Sequence, residues 1–565
     1  MIGIALRAEP AGVITVQIDN PGFENGFSKS GIANRWSDNS FKAEVIYREE
    51  KTFIHSGGSA QRIDCTRLDS GRVQCCTPVA VQKAKLHTVS IWLAASEPLR
   101  VSVLLRMAGK PYKSYAVGSF KVSTGWQEYR FSEIVDEDDS DARLFIIMEQ
   151  PGTLWVDDVS CVIETGISAA VFSPPAKPVP ATLFGLHYSP YNPHQRQTVT
   201  DSHPWPAIPF KNLRLHDSDV SWNWLEKEKG KWNWDVLDNY LSLAAEHTID
   251  LHYVLAFSPT WASARPGEIP IYGKWWMGCA AEAANIDDWR NFVRTVVTRC
   301  KGKVKYYEGW NEPDIRGFYS GSKTKLIELQ KEMYLIVKEI DPAAQVISPS
   351  CAAAGTAYLD ELLELGLGSW IDAVGFHFYS GGMGPERTIP RIELVQKIMK
   401  NNRCQKPLFN TEAGWSIASS YRTNVTAGVD TKKVLPIETA AYCIARAYLI
   451  NWAMGIPVFN LYRWEGGMGL REDNDELKEP CVKAYSNVAA WMTGAVMTSC
   501  ARDAEGTYTV KLARDGRIAT VIWNTEKSAE ISVPENTGKI TGILGDAIQS
   551  KSGILTVGEA PVIIE

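Results

Sequence analysis

The 565-residue sequence has no apolar run that approaches the roughly 20 residues of a membrane-spanning helix. It has no block of basic residues, and its formal net charge is −6. Neither nucleic acid nor a membrane is therefore an expected partner. The N-terminal stretch MIGIALRAEPAGVITV lacks the basic region, sustained apolar segment and small-residue cleavage site of a signal peptide. We expect a cytoplasmic protein or a secreted one whose signal has been removed, and both compartments stay open.

Cysteine is present, but without a paired spacing. The eleven cysteines are scattered, Cys75 and Cys76 are adjacent, and there is no Cys-x-x-Cys pair and no cluster of His and Cys. This distribution predicts no zinc site, and it allows disulfides without indicating them.

Two stretches of the chain share one pattern, in which a short apolar run ends at a glutamate with a tryptophan close by. In residues 306–314, YYEGWNEPD, the run is broken by Gly309 and Glu312 follows. In residues 407–415, PLFNTEAGW, Glu412 ends the run and precedes a glycine. Each pattern is typical of a buried strand that stops at a sharp turn.

A pair of carboxyl groups across a scissile bond is what glycoside hydrolysis ordinarily uses. Trp310 and Asn311 beside Glu312 predict a partly desolvated carboxyl group, which suits a general acid near neutral pH. Glu412 is then the candidate nucleophile, and Asn311 offers an amide to a sugar hydroxyl. A lone glutamate is more often a structural ion-pair partner, but two at strand ends, about three βα units of roughly 30 residues apart, favour catalysis.

Residues 181–493 alternate between strand-like runs and helical patterns, which predicts a (β/α)8 TIM barrel with its active site at the carboxyl ends of the strands. The predicted strands span residues 181–187, 212–216, 250–257, 304–309, 345–348, 372–378, 407–411 and 456–462. The clearest predicted helices span residues 234–247, 286–300, 323–340 and 437–454.

The regions on both sides of the barrel are predicted to be all-β. A length of 565 residues with 45% hydrophobic composition exceeds what one core usually accommodates. Residues 1–165 show many short strands with turn residues between them, which predicts a β-sandwich. A proline-rich linker is expected over 166–180, and a C-terminal β-sandwich over 494–565. The predicted fold class is therefore a multidomain α/β and all-β protein.

The Asn-Glu-Pro motif at Glu312 and the strand-end Glu412 resemble the clan A retaining (β/α)8 glycoside hydrolases, and within that clan glycoside hydrolase family 39. The resemblance implies a retaining glycosidase that cleaves a poly- or oligosaccharide by double displacement through a covalent glycosyl-enzyme. It implies Glu312 as acid/base and Glu412 as nucleophile, with no metal and no organic cofactor. The alternatives are a transglycosylase that uses the same residues and a non-hydrolytic polysaccharide-binding protein. Sugar, linkage, endo or exo action and oligomeric state stay open.

The same resemblance suggests substrate-binding residues at other strand ends. Arg214 and His216 match an Arg-x-His element, in which the arginine keeps the nucleophile ionised and the histidine binds a sugar hydroxyl. His377 and Tyr379 match a His-x-Tyr element, in which the tyrosine bonds Glu412 or a substrate oxygen. For any single one of these side chains, a buried structural position is the alternative. The full set expected to bind substrate is Asn311, Arg214, His216, His377, Tyr379, Trp464, Trp261 and Trp310.

Further aromatic and histidine candidates lie near the predicted site. Trp464, after the eighth strand, is expected to form the floor of the cleavage subsite. Trp261, Trp275 and Trp276, in the long segment after the third strand, either line further subsites or pin that loop down. The remaining candidates are His187 and Tyr191, after the first strand.

The stretches 20–24, 55–60, 125–126 and 154–159 resemble sandwich carbohydrate-binding modules of family 4. This resemblance implies that residues 1–165 bind glycan. The alternative is a sandwich that packs on the barrel or binds another protein. Similar modules hold a structural calcium, for which oxygens are offered by Glu24, Asp157 and Asp158, although acidic turn residues are more often simply solvated.

Overall fold

The computed structural model describes residues 12–164, 169–189, 205–419, 434–472, 474–533 and 538–565. The chain divides into two compact units, Met1–Ser168 and Ala169–Glu565. Within the described ranges, every helix is too short or too polar to cross a bilayer.

The described part of the first unit is all-β. Its strands are β1 (Val13–Thr15), β2 (Ser37–Asp38), β3 (Phe41–Glu50), β4 (Ala60–Pro78), β5 (Leu86–Ala95), β6 (Leu99–Arg106), β7 (Ser114–Val122), β8 (Gln127–Ile134), β9 (Arg143–Met148) and β10 (Gly152–Glu164). They pair antiparallel in the order β7-β6-β9-β4-β10-β5-β8, with β1 on β10 and with β2 and β3 on β4.

Alternation along the central strands separates a buried face from an outward face. On β10, Leu154 and Val156 are fully buried, whereas Trp155 between them is partly exposed. Trp155 is paired with Ala94 of β5, and Asp157 is paired with Trp92, so the two tryptophans project from the same face of the sheet. This outward face therefore carries aromatic rings.

The second unit begins with a short strand and continues into a parallel barrel. Its strands up to the end of the barrel are β11 (Ala170–Phe172), β12 (Phe184–Leu186), β13 (Asn212–Leu215), β14 (Asp250–Leu255), β15 (Val304–Gly309), β16 (Gln345–Ile347), β17 (Val374–His377), β18 (Leu408–Ala413) and β19 (Phe459–Leu461). Strands β12 to β19 pair in the order β16-β15-β14-β13-β12-β19-β18-β17, all parallel. A parallel bridge between Ile347 and Ala373 joins the two ends of this sheet, so the barrel is closed. The predicted barrel is therefore present.

Helices cover the outside of the barrel. They are α1 (Trp222–Leu225), α2 (Asp235–His247), α3 (Ile286–Cys300), α4 (Lys323–Ile340), α5 (Thr356–Glu364), α6 (Ile389–Asn401), α7 (Ile437–Ala453) and α8 (Glu479–Met492). The side chain of Asn285 caps α3 by accepting from the backbone N–H of Asp287. The side chain of Ser322 caps α4 in the same way through Lys325. The capped helices α3 and α4 have the bounds that the sequence predicted.

The chain after the barrel returns to antiparallel strands. They are β20 (Val496–Arg502), β21 (Thr507–Arg514), β22 (Arg517–Asn524), β23 (Ala529–Ser532), β24 (Ile540–Gly542), β25 (Ile554–Val557) and β26 (Val562–Ile564). One sheet has the order β11-β20-β21-β22-β26-β24, and β23 pairs with β25. Val510, Val521 and Trp523 from this sheet belong to the same apolar core as the barrel. The barrel and the C-terminal strands thus form one compact unit.

The segment predicted as a linker takes part in this C-terminal sheet. Residues 170–172 pair with 500–502 of β20, and Val179 forms a bridge with Thr493. The prolines of this segment keep its backbone extended, as predicted, but an extended backbone can also serve as an edge strand. Within the described residues 169–180, the prediction of a free linker was wrong, because 170–172 and Val179 pair with other parts of the second unit.

Candidate active site

Glu312 lies just beyond the end of β15, in an unusual backbone conformation. Its φ is 43°, in the left-handed region that a side chain with a Cβ avoids. The backbone N–H of Glu312 donates to the carbonyl of Ser350 at 2.8 Å, and Asn311 forms a parallel bridge to the same residue. Such a conformation costs about 1–3 kcal/mol and persists at sites where the surroundings fix it. The barrel wall thus holds Glu312 in a defined direction.

The carboxyl group of Glu312 is largely removed from water. Its side chain is 12% exposed, and its Oε1 lies 2.9 Å from Nδ1 of His377. Burial raises the pKa of Glu312 above its ordinary value, against the lowering influence of His216 and Arg214. This carboxyl group can therefore hold a proton at a higher pH than a solvated glutamate.

Glu412 ends β18 and has the opposite kind of environment. Its Oε2 accepts a hydrogen bond of 2.8 Å from Nη1 of Arg214, and its Oε1 accepts one of 2.8 Å from the hydroxyl of Tyr379. The residue is 6% exposed. A guanidinium and a phenol thus both face the negative charge of Glu412, which is the arrangement that a carboxylate nucleophile needs.

The two glutamates face each other at the mouth of the barrel. Ligand atoms of Glu312, His377 and Glu412 all lie within 4.8 Å of one another. His377 stands between the carboxyl groups, with its Nδ1 3.8 Å from Oε1 of Glu412. An oxygen of Glu312 thus lies within 4.8 Å of an oxygen of Glu412, which suits the close carboxyl pair of retaining glycosidases, about 5–5.5 Å apart, better than the ~6.5–9.5 Å of inverting ones.

Arg214 connects three of the strand ends around the site. It is fully buried, and besides Glu412 it donates through Nε and Nη2 to Glu308 at 2.8 and 2.6 Å. Its Nη2 also donates to Oδ1 of Asn311 at 2.8 Å. Burial alone would raise the pKa of Glu308, but Arg214 and His252 hold it well below its ordinary value. Glu308 therefore keeps the guanidinium oriented. Sequence reasoning missed Glu308, although an acidic residue inside the apolar run 304–309 was a signal.

A second polar group lies beside His216. Both oxygens of Asp217 accept phenol hydrogen bonds, from Tyr272 at 2.9 Å and from Tyr462 at 3.1 Å. Nε2 of His216 lies 3.5 Å from Oδ1 of Asp217. Burial raises the pKa of Asp217, but His216 and Arg463 outweigh that effect and keep it below its ordinary value. Sequence reasoning missed this group, and Asp217 could have been found as the residue that follows the Arg-x-His element.

Three tryptophans that were predicted to bind substrate pack in the core or against a neighbouring loop. Trp310 is 1% exposed and Trp464 is 2% exposed, both within the core of the unit. The indole N–H of Trp261 donates to the carbonyl of Glu226 at 2.8 Å, and its ring packs edge-on against Trp222. Large flat rings after a barrel strand are as useful for packing under loops as for binding sugar. Trp310 and Trp464 are therefore packed in the core, and substrate binding by either ring stays a prediction, whereas Trp261 pins its loop down.

Two further residues were named as candidates for the site from the sequence, and of these His187 lies within the described residues. His187 is buried near the site, with Nε2 3.3 Å from the carbonyl of Thr411 and 3.9 Å from Oε2 of Glu412. Burial lowers the pKa of His187 well below its ordinary value. Tyr191 lies outside the described residues.

Glu312, His377 and Glu412 also form one of the groups in the described chain that could hold a metal ion. Arg214 already supplies a positive charge at Glu412 at 2.8 Å. Two carboxyl groups with a histidine between them also suffice for acid–base and nucleophilic chemistry without further groups.

Comparison with known proteins agrees with this geometry. The sequence profile described as Glycosyl hydrolases family 39 matches residues 191–537, which is more than half of the chain. The chain belongs to glycosyl hydrolase family 39. It is therefore a retaining glycoside hydrolase, and its substrate is a carbohydrate.

Three solved structures are similar to parts of this family 39 chain. A family 39 β-xylosidase from Caulobacter crescentus is 17% identical with a TM-score of 0.50, over 69% of this chain and 97% of its own. The family 39 enzyme from Xanthomonas axonopodis pv. citri is 17% identical with a TM-score of 0.47, over 71% of this chain and 97% of its own. A structure titled "CBM4 structure and function" is 18% identical with a TM-score of 0.21, over 26% of this chain and 99% of its own. No curated protein matches the sequence.

Proposed function

We propose that Glu412 is the nucleophile and Glu312 the acid/base of a double displacement on a poly- or oligosaccharide. The observation that carries this proposal is the contrast between two carboxyl groups whose oxygens lie within 4.8 Å of each other. Glu412 is held by a guanidinium and a phenol, whereas burial raises the pKa of Glu312. Environments that separate the proton affinities of two neighbouring carboxyl groups also separate their roles.

In the first step a carboxylate oxygen of Glu412 attacks the anomeric carbon of the sugar. The bond from that carbon to the leaving oxygen breaks, and this oxygen takes the proton of Glu312. In the second step Glu312, now a carboxylate, accepts a proton from water, and the water oxygen displaces Glu412 from the anomeric carbon. The proton returns to Glu312 and the configuration is retained, and neither step calls for a cofactor.

His377 is proposed to position the acid/base. Burial lowers the pKa of His377 to about 4, so the ring is neutral near neutral pH, and in its Nδ1–H tautomer it donates to Glu312. A charged imidazolium at 2.9 Å from Glu312 would hold that carboxyl group ionised. A neutral ring orients it and leaves it able to carry the proton.

The sugar in the cleavage subsite is proposed to contact Asn311, His216 and Asp217. Asn311 offers an amide after the end of β15, and His216 offers an imidazole after the end of β13. Asp217 is 29% exposed at its side chain, and its carboxylate is held in place by two phenols. A fixed carboxylate of this kind accepts hydrogen bonds from sugar hydroxyls.

Proton NMR of the first-formed product tests the proposed mechanism on an aryl glycoside. We expect retained anomeric configuration, and mass spectrometry after trapping with a slow 2-fluoro glycoside should find the sugar ester on Glu412. An inverted first product, or an ester on another residue, would overturn the assignment. The same assay with added acceptor sugar separates hydrolysis from transglycosylation, because a transglycosylase gives longer oligosaccharides as its main product.

We propose further that the first unit is a β-sandwich that binds glycan through its outward face. Phe53 stacks on Trp126 with ring centroids 5.5 Å apart and meets Trp155 edge-on at 5.0 Å. His55 stacks on Trp92 at 3.6 Å. All of these rings are at least partly exposed. Amphipathic rings grouped on one sheet face offer flat surfaces for the apolar faces of sugars.

For the strands after the barrel we propose a smaller sandwich without a site of its own.

Calcium is not part of this proposal, because the donor set of the first unit does not fit it. Oε1 of Glu24 accepts the backbone N–H groups of Gly58 and Ser59 at 2.8 and 3.1 Å. Both oxygens of Asp157 accept backbone N–H groups, and Asp158 is paired with Nδ1 of His55 at 2.7 Å. Calcium takes six to eight oxygen ligands, whereas these carboxylates serve as acceptors that hold the loop 55–59.

Cutting the chain between Ser168 and Ala169 tests the glycan-binding proposal, because this cut leaves β11 in the C-terminal sheet. Activity on a small aryl glycoside should hardly change. Activity on dilute polysaccharide should fall about 10-fold or more, because a tethered module raises the effective concentration of the polymer. The full chain with Trp92→Ala, Trp126→Ala and Trp155→Ala is the matched control. Equal losses on both substrates would contradict glycan binding.

A further inference from the structure

A cleft of about 250 Å³ opens in the segment that follows β14. Its volume is below the ~300–1,000 Å³ of pockets for drug-sized ligands, so it suits a single ring better than a long chain. Its walls come from the short helix α1 and from the long loop before α3. The residues that line it are Asn223, Trp224, Lys227, Ser258, Pro259, Thr260, Trp275, Trp276, Met277 and Cys279.

Two aromatic rings in contact connect a wall of the cleft with the catalytic site. Trp276 lies against Tyr272, with ring centroids 4.5 Å apart. The hydroxyl of Tyr272 in turn donates to Asp217 at 2.9 Å and lies 3.5 Å from Nε2 of His216. A molecule that reaches from the cleavage subsite past Tyr272 therefore meets Trp276 next.

The indole rings of Trp224, Trp275 and Trp276 form an aromatic surface in the cleft, which is called the platform below. Trp275 is 84% exposed, although burial of a large apolar side chain is favourable. Trp276 meets Trp224 nearly at a right angle, with centroids 5.7 Å apart. Exposed aromatic rings beside a cleft are typical of a binding surface.

The loop that carries this platform is anchored. The indole N–H of Trp261 donates to the carbonyl of Glu226 at 2.8 Å, and the hydroxyl of Thr260 donates to the carbonyl of Met277 at 2.9 Å. A tethered loop loses little conformational freedom when a ligand binds, so more of the contact energy contributes to affinity.

Polar groups accompany the rings. Nζ of Lys227 lies 4.2 Å from the ring centroid of Trp224. Oγ of Ser258 is buried and has no hydrogen-bond partner among the described residues. Flat apolar walls together with a few hydroxyl, amide and ammonium donors match a pyranose or furanose ring, which has apolar C–H faces and a rim of hydroxyls.

We propose that this cleft binds a further sugar ring of the same chain whose scissile bond lies between Glu312 and Glu412. The inference rests on the proposed function and deepens it. The preferred substrate is then an oligosaccharide long enough to reach the cleft, rather than a disaccharide or a small aryl glycoside.

The test measures how kcat/KM depends on chain length. The probes are unlabelled oligosaccharides of two to five rings, built from the sugar whose aryl glycoside the wild type hydrolyses. For the wild type we expect a step in kcat/KM at the length that fills the cleft. Trp275→Ala should reduce that step about 10-fold and Trp275→Phe should restore part of it, because a smaller aromatic ring still stacks.

Ile269→Ala is the matched control, because Ile269 lies in the same loop, is 57% exposed and does not line the cleft. It should leave the length profile as in the wild type. An active wild type with no step, or a step that Trp275→Ala does not reduce, overturns this inference alone. A wild type that cleaves no glycoside overturns the proposed function and this inference with it.

Discussion

The ends of β15 and β18 carry the same kind of side chain in nearly opposite surroundings. Glu312, after β15, has a histidine ring at 2.9 Å and a pKa raised by burial. Glu412, on β18, has a guanidinium and a phenol, each at 2.8 Å. The comparison shows that the role of a carboxyl group is decided by the side chains that other strands direct at it. Here β13 brings Arg214 to Glu412, and the end of β17 brings His377 to Glu312 and Tyr379 to Glu412.

The largest effect is expected from Glu412→Ala. This change removes the group that forms the covalent intermediate, so turnover should fall about 10⁵-fold or more on every glycoside, whatever its leaving group. Rates are measured on aryl glycosides with good and poor leaving groups. Added azide should give some glycosyl azide of inverted configuration, and a retained azide would mean that the two glutamates have each other's roles.

A smaller and selective loss is expected from Glu312→Ala. Without the acid, turnover of substrates with poor leaving groups should fall about 10²–10⁴-fold, whereas a dinitrophenyl glycoside needs no protonation and should lose much less in its first step. Azide should attack the glycosyl-enzyme and give the retained glycosyl azide, as judged by NMR. Equal losses of activity on good and poor leaving groups would remove the contrast in role between Glu312 and Glu412.

Tyr379→Phe probes the support of Glu412 alone. The change removes one hydrogen bond to a charged group, worth about 1.5–3 kcal/mol, so kcat/KM should fall about 10- to 100-fold with little change in Tm. Tyr334→Phe, on helix α4, is the control for loss of a hydroxyl outside the site. An unchanged kcat/KM in Tyr379→Phe would mean that Arg214 suffices for Glu412.

The smallest effect is a shift in the pH profile. The proposed acid must be protonated, so activity should fall as pH rises through the raised pKa of Glu312. His377→Phe removes a donor that favours the ionised form of Glu312. The pKa of Glu312 should then rise and move the basic limb up by about one pH unit. A basic limb that moves down, or stays, would show that His377 does not act on Glu312.

Much of the barrel could be predicted because its signals are local. Strand β15 and helices α3 and α4 have the predicted bounds, since apolar periodicity and caps such as Asn285 mark them in the sequence. Helices α5 and α6 were not predicted, and neither begins with a side-chain cap. Their existence follows from packing on the barrel, which no local window shows.

The residues of the site that lie at the ends of barrel strands could be predicted from the sequence. Glu312, Glu412, Arg214, His377 and Tyr379 come together as the two sequence motifs and the strand order imply. Tyr272 could not be found, because it reaches Asp217 from a loop more than 50 positions further along the chain. The burial of Trp310 and Trp464 could not be predicted for a related reason, since the position of an aromatic residue along the chain does not show which way its ring points.

The pairing of β11 with β20 also determines how this molecule should unfold. The first strand of the second unit is held by a strand that follows the barrel, so the chain enters and leaves the barrel through one ladder of hydrogen bonds. Neither the barrel nor the C-terminal sheet can open alone without exposing the apolar core that they share. In a calorimeter, residues 169–565 should therefore give a single endotherm, with a van't Hoff enthalpy close to the calorimetric one.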